Sequence, residues 1–220
     1  MKSNRKKSLL DSLEQCRLVV TNVESHPEIQ QTMNDIGYTA ETMGEGKQLY
    51  ETSLSAHENS KRLRKLLKAA YKAFILKWEI LREVFAVDRS KSKVIFRKDS
   101  SESERLGLMS NLPVRYLKLI DVIKNFYTEI AGDEDLKSRV TRLNIPEERI
   151  NEALSLIADV EALRAEYVKL KGDVQKTTEL KRAVFREADE WLADFFAVAR
   201  IAFKDDPQQL ESFGKVVKSS

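Results

Sequence analysis

Apolar residues recur every three or four positions through most of this chain, which is the spacing of one face of an α-helix. The pattern predicts helices over residues 8–24, 27–36, 40–87, 113–131, 133–143 and 146–204, with a short C-terminal helix ending at Gly214. No segment alternates apolar and polar residues over a useful length. The sequence therefore predicts an all-α fold, an elongated four-helix bundle. Its two long antiparallel helices, about 39–87 and 146–204, pack through their apolar stripes.

Residues typical of helix ends and helix starts mark the boundaries between these predicted helices. In "DIGYTAETMGEGKQLYE" (35–51), Gly37 is expected to end a short helix and Thr39 to cap the next one. The polar run 57–60 and Gly172 are the predicted weak points of the two long helices. Residues 89–111 are expected to form a polar connector containing one short helix at about 101–108.

Two parts of the chain resemble each other. Residues 37–50 align with 144–157 at an offset of 107, and 81–88 align with 199–206 at an offset of 118. The difference of 11 residues is about three helical turns, so such an insertion keeps an apolar face in phase. We therefore expect an internal duplication with repeat units 27–88 and 133–206. The alternative is that any two amphipathic helices align this well.

Length, composition and charge limit the kinds of protein that this sequence can encode. The chain has 220 residues, only 7 glycines and 4 prolines, and a net charge of +3. We expect a single helical domain over 1–220. The lone Cys16 and the absence of a continuous apolar run near the N-terminus predict a cytoplasmic protein without a membrane span.

The run "GEGK" (44–47) invites comparison with a phosphate-binding loop. That loop needs a glycine five residues before the Gly-Lys pair and Ser or Thr after it, but the chain has Glu41 and Gln48 there. Nucleotide binding is therefore not expected. We expect instead that Gly44 and Gly46 allow close contact with another helix.

Residues suited to catalysis or metal binding are few. The chain holds two histidines, His26 and His57, and no His-Glu-x-x-His or Glu-x-x-His motif. A Cys16–His pair is conceivable but has no motif to support it. We predict no catalytic residue, no metal ligand and no cofactor.

Charge is the strongest anomaly. Residues 61–98 hold 13 Lys or Arg and three acids, a net charge of +10 that leaves −7 for the rest of the chain. This basic segment could bind nucleic acid or an acidic partner. The favoured alternative is internal pairing with Glu152, Asp159 and Glu166 on the other long helix. The predicted patch consists of Arg62, Arg64, Lys65, Lys68 and Lys72.

Two stretches carry a family resemblance. "DIGYTAETMGEGKQLYE" (35–51) and "ARIAFKDDPQQLESFG" (199–214) resemble motifs of an uncharacterised helical-bundle family common in Bacteroidetes. The chain departs from that pattern at Phe203 and Phe213. The resemblance implies an α-helical fold and a bacterial cytosolic setting, and it implies no activity.

The leading functional prediction is a non-enzymatic helical scaffold or protein-interaction module, with a protein partner or self-association through a long-helix face. The first alternative is a nucleic-acid-binding or regulatory protein that uses residues 61–98. The second is an enzyme or carrier with a pocket between helices near Trp78 or Trp191.

Overall fold

The fold is built from helices throughout the part of the chain that the structure, a computed structural model, describes, residues 8–214. Within that range there are eight helices and no strand. Seven are α-helices: α1 (Leu9–Ser25), α2 (Pro27–Asp35), α3 (Ala40–Ile95), α4 (Ser100–Arg105), α5 (Tyr116–Ala131), α6 (Glu134–Thr141) and α7 (Glu147–Ala202). The last is a 3₁₀ helix, Pro207–Phe213. The all-α prediction is confirmed.

Side chains at the helix starts satisfy backbone N–H groups that have no partner inside the helix. Ser8 and Asp11 form a reciprocal capping box on α1. Asp99 caps α4, and Asp133 caps α6. At the helix ends, Gly37 has a φ of 99°, in the left-handed region that glycine adopts at low cost.

The long helix α3 extends further than predicted, because it ends at Ile95 rather than at about 87. The predicted end is wrong because three of the polar residues that follow Val87 do not face solvent; these are Asp88, Arg89 and Ser92. All three are buried. Helix α3 also runs without a break through 57–60, as α7 does through Gly172.

The chain divides into two compact units. Unit 1 holds the described residues up to Lys65 together with those from Gly172 onward, and unit 2 is Leu66–Lys171. Each unit therefore takes one part of α3 and one part of α7. The prediction of a single domain stays a prediction.

Unit 1 is organised around the C-terminal part of α7. Its core includes Cys16 and Val19 of α1, Met33 of α2, and Phe195 of α7. Gly46 of α3 lies against Trp191 of α7, whereas Arg64 lies near Lys181. The two helix segments are therefore antiparallel within this unit.

Unit 2 has a core rich in aromatic residues from α3 and α5. Phe85 packs edge-to-face on Phe126 with ring centroids 5.4 Å apart. Salt bridges and ring contacts join α3 to α7, from Tyr71–Tyr167 at one end to Lys77–Asp159 further along. In this unit too, the two helix segments are antiparallel.

The helix boundaries recur along the chain at a constant spacing. Helices α1, α2 and α3 begin 107 residues before α5, α6 and α7, and α3 and α7 are both 56 residues long. The offset of 118 expected for the far ends stays a prediction. It would match Asp88, inside α3, with Asp206, which follows the end of α7.

Candidate functional site

The glycine-rich stretch lies in the first turns of α3. A Cβ built on Gly46 would lie 2.2 Å from Cζ2 of Trp191, so only glycine lets the indole ring approach this closely. The Gly46 carbonyl also accepts a hydrogen bond from the Cys16 Sγ (3.8 Å). At Gly44 a Cβ would meet no atom within 4 Å, so the expected helix contact at Gly44 is wrong.

The predicted basic patch is exposed. Arg62, Arg64 and Lys65 in unit 1 face solvent, as do Lys68 and Lys72 in unit 2. Arg62 donates to Asn59 at 3.0 Å. Among the described residues, none of the five forms a salt bridge with an acid.

Internal pairing accounts for only part of the basic segment. Of the three acids expected to neutralise it, Asp159 bonds Lys77 at 3.0 Å, while Glu152 and Glu166 form no ion pair among residues 8–214. Arg89 is buried and donates to the carbonyls of Gly107, Leu108 and Ser110. Arg89 therefore fastens residues 107–110 to α3 and does not face solvent.

Three positively charged side chains lie near one another in unit 1. Burial, followed by the positive charges of Arg64 and Arg182, lowers the pKa of Lys181. None of these three residues forms a salt bridge with an acid among residues 8–214. We call Arg64, Lys181 and Arg182 the cation cluster.

A column of small polar side chains faces inward on α3 in unit 1. Ser53, His57 and Ser60 follow one another at steps of four and three residues, which places them on one helix face. Ser53 and Ser60 are buried. Ser53 Oγ and His57 Nδ1 have no hydrogen-bond partner among the described residues.

A buried polar network occupies unit 2, and sequence reasoning missed it. Asp88 is fully buried. It accepts hydrogen bonds from Tyr127 Oη (2.8 Å) and from Arg149 Nε (2.8 Å). Burial, together with the Asp88 charge, raises the pKa of Tyr127. In the sequence, Asp88 is one of the three acids of the basic segment, and the distant Tyr127 and Arg149 give no local signal.

The outward face of α3 in unit 2 carries apolar side chains. Ile80, Val87 and Val94 repeat every seven residues, and Leu76 shares their face four residues before Ile80. All four are between 41% and 67% exposed. We call these four residues the apolar stripe.

A groove of about 670 Å³ lies in the same unit, bounded by the face of α3 that carries Trp78, Arg82 and Phe85. Trp78 and Tyr116 form its wall, with ring centroids 4.9 Å apart. Leu112 and Val114 also line it, and Val114 is 99% exposed. Unit 2 thus presents a broad apolar surface to solvent.

The described residues hold no cluster suited to a metal ion and no helix suited to a membrane. No group of three or more His, Cys, Asp or Glu within residues 8–214 is placed to hold a metal ion. No helix in that range is long and apolar enough to cross a membrane.

No family model matches the chain, and no curated protein or solved structure matches it. The resemblance to a Bacteroidetes family therefore stays a prediction.

Proposed function

We propose that this protein is a helical interaction module that self-associates through the apolar stripe on α3. The observation that carries this proposal is the exposure of Leu76, Ile80, Val87 and Val94 on one face of a single helix. Exposed apolar side chains grouped on one face are typical of interaction sites on soluble proteins. Repetition at seven residues is the spacing by which one helix packs along another.

The stripe supports association of modest strength. Complete burial of one Val, Leu or Ile side chain contributes about 1.5–3 kcal/mol. Association itself costs about 4–15 kcal/mol in lost freedom of motion. Because the stripe is short and interrupted by Glu83 and Ser90, we expect a dissociation constant on the order of micromolar.

Sedimentation velocity of the full chain tests this proposal. We expect a dimer at about 50 µM, and Val87→Glu should make the protein monomeric because it would bury an unpaired charge at the contact. Leu180→Glu is the matched control, since Leu180 is also exposed on a long helix but lies in unit 1. A monomeric wild type, or equal effects of the two variants, would overturn the proposal.

A second candidate function is binding of nucleic acid. The cation cluster favours it, because Arg64 and Arg182 place positive charge near Lys181 and none of the three forms a salt bridge with an acid among residues 8–214. Polyanions bind such groups by displacing counterions, so affinity should fall steeply with salt. Neutralising all three cations to Gln should abolish binding of single- or double-stranded DNA and flatten the salt dependence. Unchanged affinity in that variant would rule out this candidate.

We also infer that the chain arose by duplication of a segment whose two copies are offset by 107 residues, each copy contributing to both units. The recurrence of the helix starts supports this, and so do identical residues after each long helix. Phe96, Asp99, Glu104 and Gly107 recur as Phe203, Asp206, Glu211 and Gly214. The repeats would then run from 8 to 107 and from 115 to 214 rather than over 27–88 and 133–206. On this view, each unit is a bundle of one medium helix, parts of two long helices, and two short helices.

A further inference from the structure

A guanidinium site is already built into unit 2, and an internal arginine occupies it. The guanidinium of Arg139 lies over the ring of Phe96, with its Cζ 4.3 Å from the ring centroid. Its Nη1 donates to Asp99 at 3.0 Å and to Asp135 at 3.4 Å. An aromatic face with two carboxylates is a favourable setting for this planar cation.

The same constellation recurs 107 residues away in unit 1, except for the arginine. Phe203 stands for Phe96, Asp206 for Asp99, and Glu28 for Asp135. Asp206 and Asp99 both occupy the N-cap position of the helix that follows. Thr32, the sixth residue of α2, stands where Arg139 is the sixth residue of α6.

A pocket of about 620 Å³ opens in unit 1 among these very residues. Glu28, Thr32, Phe203 and Asp206 all line it. The Thr32 hydroxyl donates to the Glu28 carbonyl of its own helix (2.9 Å). The side chain therefore does not cross the pocket as an arginine would.

The pocket is also more acidic than its counterpart. Asp205 adds a third carboxylate in the place of Lys98, and no Lys or Arg lines the pocket. Asp206 accepts a hydrogen bond from the neutral Gln209 amide at 3.1 Å. Ala202 ends α7 at the pocket, and the C-terminus of a helix favours a cation.

We propose that this pocket binds a guanidinium group, the side chain of arginine, from outside the chain. The group would lie over Phe203 and be bonded by Asp206 and Glu28, as Arg139 is bonded in unit 2. This site is independent of the apolar stripe, because it lies in unit 1 and needs no second copy. A lysine ammonium fits less well, since it lacks the planar fork that reaches two carboxylates at once.

Calorimetric titration of the full chain with acetyl-arginine-amide tests the proposal. We expect one binding site per chain, with acetyl-lysine-amide binding about tenfold more weakly. Free L-arginine distinguishes the source: its own carboxylate should weaken binding beside three acids if the natural ligand is an arginine within a polypeptide. Tighter binding of free L-arginine would still support the guanidinium site and would identify the free amino acid as the ligand.

Two variants make the test decisive. Thr32→Arg should fill the pocket with an internal guanidinium, abolish binding and raise the melting temperature. Arg139→Thr should open the equivalent site in unit 2 and increase the stoichiometry towards two per chain. If Arg139→Thr fails to fold, Thr32→Arg still decides, because it adds a favourable contact. Equal binding by wild type and Thr32→Arg, or equal binding of the arginine and lysine probes, would overturn the proposal.

Discussion

The two units are built from helices with matching starts, but their buried polar residues lie at different positions along those helices. In unit 2 the network of Asp88, Tyr127 and Arg149 lies where α3 meets α5 and the start of α7. The residues of unit 1 that correspond at a spacing of 107 are Phe195, Val20 and Thr42. An aromatic ring thus takes the place of a buried carboxylate.

Side chains on the inward face of the first part of each long helix also differ between the units. Unit 1 has the polar column Ser53, His57 and Ser60, and unit 2 has Val160, Arg164 and Tyr167 at the matching positions. There, Arg164 lies over the Tyr116 ring with its Cζ 4.1 Å from the centroid. Helix starts and lengths are thus nearly the same in the two units, while the helix caps and the buried side chains differ.

The two tryptophans allow each unit to be followed separately. Trp78 lies in unit 2 and Trp191 in unit 1. Variants that keep only one tryptophan therefore report the unfolding of one unit in urea. Urea unfolding of these single-tryptophan variants measures the stability of each unit separately.

The largest expected effect comes from breaking the network of unit 2. Asp88→Ala should lower the free energy of unfolding by about 3–5 kcal/mol, because it leaves the Arg149 charge and the Tyr127 hydroxyl without their partner. Tyr127→Phe removes a single hydrogen bond and should cost about 1–2 kcal/mol. A smaller loss for Asp88→Ala than for Tyr127→Phe would show that the network does not stabilise unit 2.

A smaller effect is expected at the glycines of unit 1. Gly46→Ala should cost about 1–3 kcal/mol, because the new methyl group would overlap the Trp191 ring. Gly44→Ala is the matched control two residues away. It should stabilise α3 by up to about 1 kcal/mol, since alanine favours the helix and meets no neighbour. Equal outcomes at the two positions would contradict the close contact at Gly46.

The smallest effect should come from making the polar column of unit 1 more like unit 2. Ser53→Ala should raise the stability by about 0.5–1 kcal/mol, because it removes a buried hydroxyl without a partner and improves helix propensity. The converse change, Val160→Ser, should cost about 2 kcal/mol. A loss of stability in Ser53→Ala would mean that the Ser53 hydroxyl is bonded in solution.

Local patterns in the sequence were enough to predict the helices. Apolar spacing located α1, α2, α5 and α6 to within a few residues, because a helix that buries one face needs that spacing. The same rule failed at Asp88 and Ser92. Polar residues look solvent-exposed in a periodicity pattern, and only the fold shows that Tyr127 and Arg149 meet Asp88.

The candidate sites were harder to predict, because they depend on residues distant in sequence. The basic segment is visible in the sequence. The sequence does not show that Arg89 is buried or that Arg64 lies near Lys181. The guanidinium pocket had no signal in any single stretch. The pocket residues Glu28 and Thr32 are far in sequence from Phe203 and Asp206, and only the fold brings them together.

Methyl NMR spectra over a dilution series test self-association through the apolar stripe residue by residue. The methyl signals of Leu76, Ile80, Val87 and Val94 should shift as the protein is diluted through the micromolar range, because they leave a contact. Those of Leu180 and Ile201, which are also exposed, should stay fixed. Stripe signals that do not move, or equal shifts at all exposed methyl groups, would contradict the account.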